Sequence, residues 1–282
     1  MRDQFVKGLK NIVVKIGTSV LTKNGRFDKK IIGELSGQIA FFLKKGAKVY
    51  VVSSGAIGAG MTLLGLKERP KRMEGLQAAA AAGQRYLMQC YEEAFSRRGF
   101  STAQVLLTWD DLSEKKRFMN AKRALKQIQG WGLVPVINEN DTVATDEIRF
   151  GDNDRLSSLL SILVHADVLV ILSNTNGLYA DGNPKNPKSR IQLVQRMGDW
   201  VFARAKDKRT KFTVGGMRSK LKAVHTCVSS GIPVFLANGR DKKVLARIFK
   251  GEDLGTFFVP HLKKGAVRKN WLKHYAHHLR SG

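Results

Sequence analysis

Cysteine is scarce in this chain of 282 residues: Cys90 and Cys227 are the only two, and they lie far apart. That excludes a disulfide framework and a thiolate metal centre, and it points to a reducing compartment with two ordinary buried thiols. Proline is scarce as well, at six residues, and no low-complexity linker or internal repeat divides the chain. Long apolar runs are missing. Val164 to Leu172 is interrupted by His165 and Asp167 and is too short to cross a bilayer. The first residues are charged and lack the apolar core of a signal peptide, so a soluble cytoplasmic protein is expected. Acid is short relative to base: 23 Asp and Glu against 49 Lys and Arg give a net charge of +26 and a pI near 10.3. Such a balance ordinarily suggests nucleic acid or an anionic surface. Here the bases are spread along the chain and are not interleaved with a stacking-aromatic motif, so charge alone names no partner.

What the sequence does contain is alternation. Hydrophobic residues make up 43% of it, enough for a globular core. Apolar runs bounded by turn residues give strands at Asn11 to Ile16, Lys48 to Ser53, Ala103 to Leu107, Val134 to Asn138, Val168 to Ser173 and Pro233 to Ala237. Helical patterns fill the gaps, at Lys29 to Lys45, Glu74 to Arg98, Glu114 to Gly130, Asn153 to His165, Met217 to Ser230 and Lys242 to Phe249. Strands alternating with helices predict βαβ units around a largely parallel sheet. The segment from Gly182 to Thr213 is the expected mobile stretch, with one strand at Arg190 to Arg196. From His261 to Gly282 the chain carries four of its six histidines and no acid; Trp271, Tyr275 and Leu279 at helical spacing predict a basic amphipathic helix. His274 and His278, four apart, lack a third metal ligand.

Polar side chains crowd one place. The strand Val134-Pro-Val-Ile-Asn-Glu-Asn-Asp141 ends in them, and Gly151-Asp-Asn-Asp154 follows ten residues later. Open α/β sheets keep their ligands at the carboxyl ends of strands, and clustered amides and carboxylates suit a small zwitterion. Other strands run into glycine turns. Lys15 precedes Gly17, so an ammonium could meet a phosphate beside backbone N–H groups. Ser53-Ser-Gly-Ala-Ile-Gly-Ala-Gly60 repeats the arrangement with small residues where a ligand or a helix comes close. Its glycine spacing fits neither the dinucleotide fingerprint nor the Walker phosphate loop. Ser173-Asn-Thr-Asn-Gly177 closes another strand with a turn suited to a base or ribose. Val214-Gly-Gly-Met217 opens a helix with Lys220 one turn in, a favourable place for phosphate.

This order of motifs resembles the amino acid kinases. The matching pieces are Val13 to Leu21, Ser53 to Gly60, Gln104 to Thr108, Arg117 to Asn120, Val134 to Asp141, Gly151 to Asp154, Gly177 to Tyr179, Gly215 to Met217 with Lys220, and Gly255 to Phe258. Together they reach from about residue 11 to residue 260. Within the family, the Asn-Glu-Asn-Asp and Gly-Asp-Asn-Asp pair is similar to that of the members acting on free L-glutamate. The resemblance implies a three-layer αβα sandwich and ATP-dependent phosphorylation of the glutamate side-chain carboxylate, towards proline. It assigns Lys15 and Lys220 to the transferring phosphoryl group, with Asp154 orienting both, and backbone donors at Gly17 and Gly55. Ser54, Asp141 and Asn153 would bind glutamate, Asp141 at the α-ammonium and Asn153 at the α-carboxylate, with Asn138 as a neighbouring support. Ser173, Asn174, Gly215, Gly216 and Met217 would hold the nucleotide.

Further expectations come with the resemblance: Mg²⁺ carried on ATP without a protein metal cage, a dimer or tetramer, feedback by proline, a kinase domain over residues 1–260, and closure of the Thr142 to Phe150 hairpin over glutamate. Two motifs depart from the family pattern. Ser173-Asn174 stands where Thr-Asp is usual, and Thr213-Val214 precedes Gly215-Gly-Met217 in place of Gly-Thr. An Arg268-Lys-Asn-Trp271 segment resembles the one that leads into a C-terminal PUA domain, and the chain ends about where that domain would start. The alternatives are a sister kinase acting on acetylglutamate, aspartate, carbamate or UMP, and, from another class, a basic RNA-binding protein.

Overall fold

A computed structural model of the chain describes residues 2–6, 8–23, 26–143, 153–205 and 216–261. Six runs rich in β-branched residues become the long strands β1 (Asn11–Ile16), β4 (Lys48–Ser53), β5 (Thr102–Leu107), β6 (Val134–Glu139), β7 (Val168–Ser173) and β11 (Val234–Asn238). Their boundaries fall within a residue of the sequence reading. The short strands are β2 (Thr22–Lys23), β3 (Arg26–Phe27), β8 (Leu178–Tyr179), β9 (Arg190–Ile191), β10 (Leu193–Val194) and β12 (Thr256–Phe258). Eight strands form one sheet in the order β10-β12-β11-β7-β1-β4-β6-β5. Every pairing in it is parallel except β11 with β12. The single strand expected at Arg190 to Arg196 is instead two short ones, in different sheets.

Helices cover both faces, because neighbouring residues of each strand point opposite ways. Val14 and Ile16 of β1, with Val49 and Val51 of β4, face α2 (Lys29–Lys44), α4 (Met73–Ser96) and α10 (Val244–Phe249). Val13, Val52 and Ile137 face α5 (Trp109–Ser113), α6 (Lys115–Gly130), α7 (Asn153–Leu163) and α9 (Met217–Ser229). The result is the expected three-layer αβα sandwich. Cys90 and Cys227 are buried in these two cores, as expected of inert thiols. The segment after Gly182 holds a short 3₁₀ turn, β9, β10 and α8 (Asp199–Phe202) as far as residue 205. The tail expected as a helix from His261 lies outside the described residues beyond His261 itself, as do the hairpin positions 144–150.

Four short helices, α5 and α8 among them, were not expected. α1 (Thr18–Leu21) and α3 (Ala56–Leu63) occupy the glycine turns after β1 and β4. Three glycines around α3 argue against helix on propensity, but contact with α4 overrides it. A Cβ on Gly60 would lie 1.8 Å from the Ala79 carbonyl oxygen, and one on Gly83 would lie 1.9 Å from that of Ala56. These two helices therefore meet backbone to backbone, which is what the small residues of both segments permit.

Candidate active site

β1 lies between β4 and β7, where the chain reverses its direction of travel across the sheet. Clefts at such switch points, outside the strand carboxyl ends, are where open sheets bind ligands. Lys15 is the penultimate residue of β1; Ser54 follows β4, Asn138 sits near the end of β6, Ser173 ends β7, and Asn153 and Asp154 begin α7.

Asp154 is fully buried and binds two lysines, one on each carboxylate oxygen: Lys15 Nζ lies 2.5 Å from Oδ1 and Lys220 Nζ 3.1 Å from Oδ2. Ser219 donates to Oδ2 at 2.8 Å. Burial would raise the Asp154 carboxyl, but the Lys15 and Lys220 ammoniums outweigh it and hold the group well below the usual carboxylate range. Residues 139 and 66 positions apart from Asp154 are thus joined as a triad with one more positive charge than negative. Such a charge excess in a dry site suits an incoming anion.

The glycine turns border this triad. A Cβ on Gly17 would sit 3.6 Å from Lys15 Nζ and 3.2 Å from the Leu172 carbonyl oxygen. The Gly17 amide itself donates to that same Leu172 oxygen at 3.0 Å. The next amides in the turn, those of Thr18 and Ser19, begin α1, where a helix has no internal acceptors for them. Gly55 caps α3 with φ of 101°, a left-handed conformation that glycine adopts without strain. A side chain there would also meet Leu21 Cδ1 at 3.0 Å. Gly216 caps α9, immediately before Met217. Gly215, together with Thr213 and Val214, lies outside the described residues. Ser173 is buried and accepts the Gly239 amide on its carbonyl, while Asn174 is exposed.

On the other side of Asp154 is a buried group of amides. Asn153 donates to Ser54 Oγ at 3.2 Å and to Asn138 Oδ1 at 2.8 Å, and Asn138 donates to Gln84 Oε1 at 2.9 Å. Gln84, on α4, donates to Gln104 Oε1 of β5 at 3.3 Å. Among the described residues, Asn153 Oδ1 is buried without a hydrogen-bond partner. Beside the group opens a cleft of about 440 Å³ whose lining includes Gln84, Arg85, Gln104, Asn140 and Asp141. Burial pushes the Asp141 carboxyl up to about 6, with Arg69 opposing the shift. Gln84 and Arg69 were not singled out from sequence, and Gln104 only as the first residue of a matching motif, with no role given to it. Gln84 had a legible signal: it falls in the stripe of Leu76, Ala80, Leu87 and Tyr91 that α4 buries, and a polar residue in a buried stripe needs a partner.

Among the described residues no group of three or more His, Cys, Asp or Glu could hold a metal, and no helix is long and apolar enough to cross a membrane. Residues 10–238 match the amino acid kinase family. A glutamate 5-kinase of Thermoanaerobacter sp. (strain X514) is 46% identical over 264 residues, covering 93% of this chain and 71% of that protein. Glutamate 5-kinases of Chromohalobacter salexigens and Marinomonas sp. (strain MWYL1) are 46% and 43% identical, over 93% and 100% of this chain and 70% and 75% of their own lengths. The UMP kinase of Bacillus anthracis has a similar solved fold, with a TM-score of 0.56 at 15% identity, covering 90% of this chain and 97% of that one.

Proposed function

The chain belongs to the amino acid kinase family, and on that premise we propose that it transfers the γ-phosphoryl group of ATP to the side-chain carboxylate of L-glutamate, giving L-glutamyl 5-phosphate, the first step towards proline. Relatives with that activity, matching nearly the whole chain, support this reading. The observation that carries it at the level of side chains is the adjacency of Asn153 and Asp154: one faces the amide group beside Ser54, the other holds the two lysines. A zwitterion pocket and a phosphate pocket thus share one helix start.

The acceptor carboxylate has a pKa of roughly 4.3, so it is already a nucleophile at neutral pH and needs no catalytic base. The protein's task is alignment and charge neutralisation. In this proposal Lys15 and Lys220 stabilise the charge that spreads over the transferring group, Asp154 keeps them apart and aimed, and the amides at the starts of α1 and α3 donate to phosphoryl oxygens. Asp141 binds the α-ammonium of glutamate, and Ser54, Asn138 and Asn153 shape the rest of the pocket. Ser173, Asn174, Gly216 and Met217 border the nucleotide.

Mg²⁺ fits this site as a companion of ATP. Both Asp154 oxygens are engaged by donors, so the ion would be held through phosphate oxygens and water, where it would neutralise charge. The assembly is proposed to be a dimer or tetramer in the cytoplasm, and proline, which resembles cyclised glutamate, to compete for the same pocket.

A coupled ADP-release assay with L-glutamate, L-aspartate and N-acetylglutamate tests the proposal. Turnover is expected with glutamate, and its absence refutes the reading. Lys220→Ala should lower kcat with little change in glutamate KM, whereas Asp141→Ala should mainly raise that KM. The reverse pattern would reassign both residues.

A further inference from the structure

We propose that Gln84 is a positioning residue: it sets the direction of a chain of side-chain amides, so that Asn153 meets the substrate's α-ammonium as an acceptor. The inference rests on the glutamate reading above and deepens it.

An amide has a donor end and an acceptor end, and a row of them can run in either direction. Here each member donates outward. Gln84 Nε2 donates to Gln104 Oε1 at 3.3 Å, which turns Gln84 Oε1 towards Asn138. Asn138 Nδ2 donates to that oxygen at 2.9 Å, leaving Asn138 Oδ1 to accept from Asn153 Nδ2 at 2.8 Å. The second N–H of Asn153 reaches Ser54 Oγ at 3.2 Å. Both donors of Asn153 are therefore committed, and what it has left is Oδ1, an acceptor buried without a partner among the described residues, in a side chain only 8% exposed.

An orphaned buried acceptor is costly until a ligand supplies a donor. At neutral pH glutamate has one donor group, its α-ammonium; both carboxylates are acceptors and would be repelled by Oδ1. Asn153 therefore joins Asp141 at the ammonium, contrary to the α-carboxylate role that the family resemblance suggests. Ser54, which accepts from Asn153, keeps its own proton to donate to a carboxylate. Gln84 is remote in sequence from every motif of the site, yet it is the residue that makes Asn138 present an oxygen to Asn153.

The test compares Gln84→Met, which keeps the volume but removes the acceptor, with Gln84→Glu, which keeps an acceptor for Asn138. Gln84→Met should raise the glutamate KM about tenfold, with kcat and the KM for ATP near those of the unaltered protein. Gln84→Glu should restore the KM to within about threefold. Glutarate, which lacks the ammonium, should inhibit Gln84→Met at least as well as it inhibits the unaltered protein. The proposal is overturned if the glutamate KM of Gln84→Met is unchanged, or if glutarate inhibition weakens as much as glutamate binding does. If Gln84→Met does not fold, Gln104→Met at the exposed end of the chain should give the same split at about threefold, and no change there overturns the proposal. Failure of the unaltered protein to turn over glutamate would refute the function itself, a result distinct from any of these.

Discussion

Replacing Asp154 with Asn keeps the shape of the side chain but removes a negative charge shared by Lys15 and Lys220. Both ammoniums are nearly buried, at 4% and 7% exposure, and Asp154 is wholly so. Deleting one partner of a buried ion pair costs about 3–5 kcal/mol, because the remaining charge is left uncompensated. Two ammoniums roughly 6 Å apart at an effective dielectric of about 20 add repulsion on the order of 3 kcal/mol, part of which relaxes as the lysines swing apart. A total near 5 kcal/mol corresponds to a Tm lower by about 10 °C for a chain of this size. ATP brings its own negative charge to the same place, so it should raise the Tm of Asp154→Asn by more than it raises that of the unaltered protein. Turnover should fall by roughly 10²–10³, as expected when a preorganised charge array is lost. Thermal unfolding with and without ATP, read beside kcat, checks both. A Tm within about 2 °C of the unaltered protein, or equal protection of both by ATP, would refute the charge argument. Acid offers an independent check on the unaltered protein. Because the folded carboxyl titrates below its unfolded value, its stabilisation is complete above the unfolded pKa and disappears only as pH falls through the lower, folded one.

Three further outcomes are expected. Burial pushes the Asp141 carboxyl up to about 6, so kcat/KM for glutamate should fall as pH drops through that value, approaching roughly a tenfold loss per unit below it, and a flat profile between about pH 5 and 7 would exclude Asp141 as the ammonium ligand. Arg69 opposes the burial that raises Asp141, so Arg69→Met should move the midpoint of that profile upward. Gly83→Ala would place a Cβ 1.9 Å from the Ala56 carbonyl oxygen and 2.2 Å from the Gly60 nitrogen. Overpacking of that severity should cost on the order of 3 kcal/mol, seen as a lower denaturation midpoint, and an unchanged midpoint would mean that the two helices do not meet as described.

The parallel core was legible because buried strands read as unbroken apolar runs, and Lys48-Val-Tyr-Val-Val-Ser53 is placed residue for residue. α3 was missed because its glycines, unfavourable for a helix alone, become favourable only against Gly83 and Ala79 of α4, a contact between distant parts of the chain. β12 was missed for a similar reason: Thr256-Phe-Phe258 is too short to show a period, and its antiparallel pairing with β11 decides it. The lysine and acid triad stood out because each member adjoins a glycine turn or a polar motif. Arg69 carries no local mark, and the motif that Gln104 opens does not show its partner. Their relation to Asp141 and Gln84 exists only once β5, β6 and α4 are side by side.

The contact between α3 and α4 has one more consequence. In the proposed reading Gly55, at the start of α3, borders the phosphate, while Gln84, next to Gly83 on α4, anchors the amides beside the amino acid. Gly60 and Gly83 touch through their backbones, so neither residue puts a side chain between the two helices at the crossing. On the same reading the contact works as a calliper with fixed jaws: an acceptor shorter by one bond length, ~1.5 Å, and held at its ammonium should fall short of the phosphoryl group. A hydrophobic wall discriminates a single methylene by only about 10–200-fold, whereas a rigid span between two charged ends turns the same difference into a loss of alignment.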